Sequence, residues 1–440
     1  MSAVKQMVLQ IALTVIAANG YPMLFLNGWG LLLIPVIVIV ANTLPLFYNN
    51  GMPTFQLRIC AYGNRTLKAF IYSLPFAVLG QYLNYIYLHD SHWVHGAISL
   101  ALCVAVESVL FWNGMISVYL SSVQLGIRHR AAGILVGFIP IANVVMLEKI
   151  LAITDKEIAF EQEKHKLEEG RKDQFLCKTK YPILLVHGFL FRDNPYFNYW
   201  GRIPKTLQSN GATVYYGEHP SALSIADSAE ILADRIRMIV QNSGCEKVNI
   251  IAHSKGGLDC RYAMDRLGIA QYVASLTTVN TPHRGCEFAD RLLELVPEKV
   301  QQKIAKTYND TLRQLGDPDP DFMAAVHDLT SSHCEKFDAE TPVPEGVFCQ
   351  SIGTLLHSQA KEGFPLNLTY RYVKNYDGPN DGLVGVDSFQ WGEKYELLDV
   401  KNDRGISHMD IIDLTRENLT DFDVREWYVR LVSDLKHRGY

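Results

Sequence analysis

The sequence of 440 residues predicts an α/β domain with a mostly parallel sheet, preceded by an all-α transmembrane domain. Long apolar runs are concentrated before residue 151, and most charged residues follow it. After residue 180, short apolar strands alternate with amphipathic helices, which is typical of a parallel sheet covered on both faces. One of these strands leads through a turn of small residues directly into a helix. The net charge of −5 argues against a nucleic-acid-binding protein.

Five apolar runs in the first 151 residues approach or exceed the roughly 20 residues that a helix needs to cross a bilayer. They cover residues 7–26, 30–47, 67–88, 94–120 and 131–147. The first run is interrupted by Gly20 and Pro22 and resembles a signal peptide, but further runs follow at once without a clear cleavage site. We therefore expect an uncleaved, multi-pass protein of the cell membrane.

The basic residues near these runs predict the orientation of the chain. Lys5 precedes the first run, Arg58, Arg65 and Lys68 lie near the second loop, and Arg128 and Arg130 separate the fourth and fifth runs. Because basic loops favour the cytoplasm, five spans place everything after Leu151 outside it. The orientation inverts if the first run does not span the membrane or the fifth is re-entrant.

Glu107 lies within the fourth apolar run, where a charge is costly. One interpretation gives this residue a function. The other is a protonated glutamate that is hydrogen-bonded across a helix interface, to Ser108 or to a tyrosine.

The cysteines also allow two interpretations, a disulfide or free thiols. The eight cysteines form neither a C-x-x-C pair nor a zinc-like group. Cys334 and Cys349 could form a disulfide if their domain is extracellular, and free buried thiols are the alternative.

The composition divides the chain into a transmembrane domain (1–151), a charged linker helix (152–180) and a catalytic domain (181–440). In the last of these, we expect strands at 181–186, 212–216, 248–252, 273–280, 368–374 and 395–400, and helices at 225–241 and 258–267. The linker carries opposite charges at helical spacing, which favours a solvated spacer.

Ser254 lies in the turn between the strand at 248–252 and the following helix. Its neighbours two positions away, Ala252 and Gly256, are both small. A strained strand-to-helix turn needs small residues there, and it exposes the serine hydroxyl at the end of the sheet, as in the nucleophile elbow of α/β-hydrolases. We therefore predict that Ser254 is a catalytic nucleophile rather than a helix cap.

The loop after the first strand supplies candidates for an oxyanion hole. The backbone N–H groups of Phe189 and Lys255 are predicted to bind the developing negative charge. His187 precedes the serine in the chain, whereas this fold uses the order serine, acid, histidine. We therefore expect His187 to shape the loop.

An acid and a base are expected after the serine. Asp381 is the preferred acid, with Asp377 and Asp387 as competitors that could be ordinary turn residues. His408 is the predicted base, because the other histidine after Asp381, His437, lies in the C-terminal helix.

Residues 180–430 resemble the bacterial triacylglycerol lipase family. The similarity lies in the runs YPILLVHG, YWGRIPKTLQSNGATVYYGEH, VNIIAHSKGG, VNTPHRG, PNDGLVG and SHMD. This resemblance implies Ser254 as nucleophile, Asp381 as acid and His408 as base. It also implies a lid, which we place at 287–330 because that segment is amphipathic; an ordinary insertion helix is the alternative.

No cofactor or metal is predicted. Some members of the family hold calcium with two aspartates, and Asp410 matches the position after the catalytic histidine. Residues 350–374 contain no aspartate to match the other position.

The sequence thus predicts a membrane-anchored serine lipase or carboxylesterase whose partners are a lipid ester and the bilayer. An acyltransferase with the same triad is a second hypothesis. A catalytically silent binding or signalling module on a membrane anchor is a third.

Overall fold

The computed structural model describes residues 3–22, 30–47, 52–87, 93–139, 141–189, 198–220, 222–314, 316–317 and 319–440. The chain divides into two compact units, Met1–Gly170 and Arg171–Tyr440.

The N-terminal unit is helical throughout its described residues. Its helices are α1 (Ala3–Ala18), α2 (Gly30–Thr43), α3 (Phe55–Tyr87), α4 (Trp93–Ser121), α5 (Gly126–Val136) and α6 (Ala142–Gly170), with a 3-10 turn at Leu44–Phe47. Helices α3 and α4 approach closely because glycines face each other. A Cβ on Gly63 would lie 2.8 Å from the backbone oxygen of Gly114. Small residues at such contacts let two helix backbones pack tightly.

Among the residues that the structure describes, α4 is long and apolar enough to cross a membrane, and the shorter helical stretches Val4–Ala18 and Leu32–Leu46 are also apolar. The predicted fifth span is not one continuous helix. Helix α5 ends at Val136, and α6 begins at Ala142 and continues through the charged segment to Gly170. Pro140, outside the described residues, lies between them in the sequence, and proline cannot donate the backbone hydrogen bond that a continuous helix needs. The linker helix thus ends ten residues before the predicted boundary at 180. The multi-span anchor remains a prediction.

The C-terminal unit contains a six-stranded sheet in the order β2-β1-β3-β4-β5-β6, with every neighbouring pair parallel. The strands are β1 (Ile183–Val186), β2 (Val214–Tyr216), β3 (Val248–His253), β4 (Val273–Val279), β5 (Phe348–Thr354) and β6 (Lys394–Leu398). The helices are α7 (Ile203–Ser209), α8 (Ile225–Ser243), α9 (Lys255–Arg266), α10 (Glu287–Leu295), α11 (Glu298–Gln314), α12 (Phe322–Asp328), α13 (Ser331–Glu340), α14 (Leu366–Tyr376) and α15 (Val424–His437). The parallel sheet of the sequence analysis is confirmed.

Apolar side chains cover both faces of the sheet. On one face, Leu185 and Ile251 belong to a buried cluster with Tyr428 of α15. On the other, Leu184 and Ile250 pack with the buried side chains of α8 and α9. Strands β1, β3 and β4 are buried at every residue, which reflects contact with helices on both sides.

The predicted strand at 368–374 is wrong, because these residues lie in helix α14. The buried side chains of this helix are Leu366, Tyr370 and Val373, whose spacing follows one face of a helix. Strand β5 was not predicted. The eight cysteines are free thiols, so Cys334 and Cys349 are buried but not joined.

Candidate active site

Ser254 occupies the junction at which β3 ends and α9 begins. Its backbone has φ 53° and ψ −132°, a conformation that residues with a Cβ seldom adopt. The turn is held by Thr281, whose hydroxyl donates a 2.8 Å hydrogen bond to the Ser254 carbonyl oxygen. Gly256 is required because a Cβ there would collide with the backbone oxygen of His187. The local chain therefore adopts the strained turn that the sequence predicts around Ser254.

The loop after β1 lies directly against this serine. A Cβ on Gly188 would lie 2.7 Å from the Cβ of Ser254, so the backbone at Gly188 and Phe189 passes next to the hydroxyl-bearing carbon. Lys255 is the first residue of α9, where backbone N–H groups have no acceptor within the helix. The two predicted oxyanion-hole residues thus lie on the two chain segments that meet at Ser254. Phe189 is on the loop after β1, and Lys255 is at the start of α9. Residues 190–197, which continue the loop, lie outside the described residues.

His408 and Asp381 form a buried pair. The Nδ1 atom of His408 lies 2.6 Å from Oδ2 of Asp381, and the backbone N–H of His408 donates a 2.9 Å hydrogen bond to the Asp381 carbonyl oxygen. Asp381 is fully buried. Because Asp381 accepts at Nδ1, the Nε2 atom of the neutral imidazole is the one available to accept a proton. The His408 ring also contacts that of His253, with 4.5 Å between centroids, so it lies beside the residue that precedes Ser254.

Both oxygens of Asp381 are saturated with donors. Oδ1 accepts from the backbone N–H groups of Leu383 and Val384, at 2.9 and 2.8 Å. Oδ2 accepts from the Asn280 side-chain amide at 2.7 Å, in addition to His408. A buried carboxylate with donors on both oxygens is fixed in position.

The competing residues have other roles. Asp377 accepts hydrogen bonds from the backbone N–H groups of Glu287 and Phe288, at 2.8 and 3.0 Å, and thus caps the start of α10. Asp387 lies in a 3-10 turn, Val386–Ser388. His437 is the last residue of α15. His187 is fully buried, and its Nε2 lies 3.0 Å from the His219 carbonyl oxygen, which anchors the loop.

Two positioning residues were not identified from the sequence. Asn280 joins Asp381 to the sheet, because its amide also donates a 2.7 Å hydrogen bond to Thr354 Oγ1 at the end of β5. Tyr199 joins the loop to the strand. Its hydroxyl accepts from the Gly188 N–H at 3.1 Å and lies 2.6 Å from Nδ1 of His253. Burial, followed by the charge of His408, lowers the pKa of His253 well below its usual value, so this histidine is a neutral acceptor.

A buried charged pair lies behind the turn. Lys255 Nζ lies 2.7 Å from Oδ1 of Asp259 and 3.0 Å from Ser228 Oγ. Burial raises the pKa of the Asp259 carboxyl, and the Lys255 ammonium group opposes that rise. Since both side chains are almost completely buried, the pair restrains the first turn of α9, which carries the Lys255 N–H.

The segment predicted as a lid consists of helices α10, α11 and α12. Phe322 of α12 stacks on Tyr308 of α11, with centroids 4.7 Å apart, and contacts Phe189 at 5.4 Å. On the outer surface, Leu295 is 73% exposed and Val300 is 46% exposed. The segment therefore contacts the loop beside Ser254 and presents apolar side chains to its surroundings.

Asp410, the possible calcium ligand, is hydrogen-bonded within the protein. Its Oδ1 accepts from Arg404 at 3.1 Å, and its Oδ2 accepts from the Ser407 hydroxyl at 2.8 Å. In the described part of the chain, His, Cys, Asp and Glu side chains form no cluster of three that could hold a metal ion.

Comparison with known proteins relates this unit to ester hydrolases. Residues 181–376 match the family model for the alpha/beta hydrolase fold. Triacylglycerol lipase 2 of Saccharomyces cerevisiae is 29% identical over 275 residues, which cover 56% of this chain and 78% of the relative. A triacylglycerol lipase of Vibrio cholerae is 28% identical over 291 residues, covering 60% of this chain and 91% of that one. The solved structure of the Bacillus licheniformis lipase BlEst2 in mature form has a TM-score of 0.42 at 21% identity, covering 58% of this chain and 92% of that one. The C-terminal unit has the α/β-hydrolase fold, and the family match ends before Asp381 and His408.

Proposed function

We propose that this serine ester hydrolase of the α/β-hydrolase fold cleaves lipid acyl esters with a triad of Ser254, Asp381 and His408. The proposal rests on two independent features that lie at the same end of the sheet. One is the strained turn at Ser254, and the other is the buried Asp381–His408 pair with its 2.6 Å contact. A serine hydroxyl needs a base, and the base needs a group that orients it.

The reaction follows from this arrangement. His408 Nε2 takes the proton from Ser254 Oγ while Oγ bonds to the carbonyl carbon of the ester. The carbonyl oxygen becomes an oxyanion and is held by the backbone N–H groups of Phe189 and Lys255. The tetrahedral intermediate collapses, the C–O bond to the alcohol breaks, and His408 returns the proton to the departing alkoxide. Asp381 stabilises the imidazolium at each transfer.

Water completes the cycle. His408 removes a proton from the water molecule, whose oxygen attacks the acyl-enzyme carbonyl. The Ser254–acyl bond then breaks, and His408 protonates Ser254 Oγ. The products are a carboxylic acid and an alcohol, and the enzyme returns to its starting state.

Lipid esters are the proposed substrates for two reasons. Two relatives that match more than half of this chain are named triacylglycerol lipases. Helices α10 and α11 also expose Leu295 and Val300 next to a segment that contacts Phe189. Exposed apolar side chains on such a segment favour a surface at which lipid is available.

A membrane anchor in the N-terminal unit is part of this proposal. It is supported by the apolar length of α4 and by the other apolar runs of the first 151 residues. The positions of the basic residues favour an extracytoplasmic catalytic unit. Added protease should then cleave the exposed segment near residues 171–175 in intact cells. Cleavage only after lysis would contradict this orientation.

Covalent labelling tests the nucleophile. A fluorophosphonate probe forms a stable bond to an activated serine, so we expect it to label the full-length wild type and not Ser254→Ala. Ser243→Ala is a matched control, because Ser243 lies at the end of α8, away from the turn. Labelling that persists in Ser254→Ala, or a wild type that hydrolyses esters without labelling, would exclude Ser254 as the nucleophile.

A further inference from the structure

A cavity of about 670 Å³ lies among helices α3, α4, α5 and α6 of the N-terminal unit. Its size falls within the range of pockets that hold small molecules, roughly 300–1,000 Å³. Most of its lining is apolar, with Leu74 and Phe70 from α3, Phe111 from α4 and Ile150 from α6. Such a lining favours a hydrocarbon chain rather than a polar solute.

One carboxyl group interrupts this lining. Glu107 lines the cavity and is only 6% exposed. Its Oε2 accepts a 2.9 Å hydrogen bond from Ser73 Oγ on α3, so the side chain bridges two helices. One interpretation of the sequence expected such a bridge, but with Ser108 or a tyrosine as the partner. Its Oε1 is also buried, and none of the residues that the structure describes forms a hydrogen bond with it. A helix-bridging role accounts for one oxygen and leaves the other unexplained.

Two other polar side chains of the lining, Gln81 and Asn143, are hydrogen-bonded to other residues. Gln81 donates to Asn19 Oδ1 at 3.0 Å and accepts from Ser99 Oγ at 3.1 Å. Asn143 donates to the Gly137 carbonyl oxygen at 3.4 Å. Glu107 therefore offers the buried carboxyl oxygen to which a molecule in the cavity can bind. An unsatisfied buried acceptor is destabilising, and a donor from a ligand would remove that cost.

We propose that this cavity binds a neutral single-chain glycerolipid, with its alkyl chain along the apolar lining and a hydroxyl group donating to Glu107 Oε1. A hydroxyl can donate to this oxygen whether the carboxyl group is ionised or protonated. A neutral hydroxyl also costs less to bring into an apolar cavity than an ammonium group does. A fatty acid anion would bring an unpaired negative charge into the apolar cavity, which also costs more than a neutral hydroxyl. The site lies within residues 70–150 and does not depend on the ester-hydrolase proposal.

Photolabelling of the full-length protein in detergent tests this site. The probe is a 1-O-alkylglycerol with a diazirine in its chain, because an ether cannot be hydrolysed at Ser254. We expect cross-links to peptides of α3 and α4, which are lost when unlabelled alkylglycerol is added. The same ether with both hydroxyl groups methylated should compete at least about tenfold less well, since a tenfold loss corresponds to about 1.4 kcal/mol. Equal competition by the methylated ether would overturn the proposal, because the hydroxyl would then contribute nothing.

Variants at Glu107 test whether binding depends on its acceptor oxygen or only on the shape of the cavity. Glu107→Leu removes the acceptor and should lower labelling at least about tenfold. Glu107→Gln retains an acceptor oxygen and should retain most of the labelling. Unchanged labelling in a folded Glu107→Leu would overturn the proposal.

A second pair of variants keeps the test valid if Glu107→Leu does not fold. Val104 lines the cavity and is 57% exposed, so Val104→Trp can fill its rim without replacing a buried side chain. Val109 is on the same helix and is 49% exposed, and it is not among the described residues of the lining. We expect Val104→Trp to lose labelling and Val109→Trp to retain it. Equal labelling of the two would show that the probe binds only the outer surface.

Discussion

Gly188→Ala tests the contact between the loop after β1 and the turn at Ser254. The added Cβ would lie 2.7 Å from the Cβ of Ser254 and 3.0 Å from the Tyr199 hydroxyl oxygen. Non-bonded carbon atoms prefer separations of about 3.5–4.0 Å, so the loop and the turn must separate by about 1 Å. The φ of Gly188 is not in the left-handed region, so alanine adds a collision rather than backbone strain.

The expected effect follows from that displacement. The loop carries the Phe189 N–H, one of the two proposed oxyanion donors. A misplacement of about 1 Å costs on the order of 10²-fold in rate, or about 2.7 kcal/mol of activation free energy. Because the oxyanion forms only after attack on the carbonyl, the loss should appear in kcat, while KM changes little. Hydrolysis of p-nitrophenyl butyrate by the purified full-length protein provides the measurement.

Gly363→Ala is the matched control. A Cβ on Gly363 would meet no atom within 4 Å, and its φ is likewise outside the left-handed region. We expect its kcat to equal that of the wild type. If Gly188→Ala folds with wild-type resistance to proteolysis and keeps its kcat within about threefold, the proposed oxyanion hole is wrong.

Three further predictions concern the acid, the loop and the stability of the fold. Asp381→Asn should lower kcat by about 10⁴-fold, as loss of the carboxylate does in other serine triads. Asp377→Asn keeps a helix cap, so its kcat should stay near that of the wild type. The reverse order of effects would identify Asp377 as the acid. Tyr199→Phe leaves the buried Gly188 N–H without its acceptor and should lower the free energy of unfolding by about 1–3 kcal/mol, measured by pulse proteolysis in urea. Burial, with Arg261 and Arg284, lowers the pKa of His283 well below 6.5, so the folded protein holds it neutral while the unfolded chain protonates near 6.5. Its contribution to stability is therefore fully present above pH 6.5 and is lost progressively as the pH falls below 6.5. His283→Gln should reduce this pH dependence in the same assay, and an unchanged dependence would refute the assignment.

Local patterns in the sequence predict the turn at Ser254 well, but they do not predict a strand whose buried residues are polar. Strand β5 contains Gln350 and Ser351, which interrupt its apolar pattern, and both are fully or almost fully buried. Gln350 donates to Thr277 Oγ1 at 2.9 Å, and Ser351 donates to the Trp391 carbonyl oxygen at 2.7 Å. These hydrogen bonds offset the cost of burying the polar groups, but the partner residues are distant in the sequence. Helix α14 resembles a strand in sequence because Leu368, Tyr370 and Tyr372 alternate with the polar residues Thr369 and Arg371 over a short stretch.

Asp381, the proposed acid, shows a further limit of local reasoning. Its order in the chain, after Ser254 and before His408, can be predicted, but the residue that fixes it to the sheet cannot. Asn280 follows β4 and has φ 48°, a conformation that asparagine tolerates better than most residues. This backbone directs one amide nitrogen to both Thr354 Oγ1 and Asp381 Oδ2, at 2.7 Å each. The contact joins residues that are 74 and 101 positions from Asn280.

The same contact links the proposed chemistry to the packing of the sheet. Strand β5 pairs with β4 in parallel, with Val279 opposite Ile352, so the pairing register determines how far Thr354 lies from Asn280. A change that shifts β5 along β4 would separate Asn280 from Thr354, although no member of the proposed triad lies on β5. Asp381 would then lose a donor or follow Asn280 out of position, and the imidazole of His408 would turn with it. The position of the base therefore depends on the register of a buried strand pair as well as on the loop that carries His408.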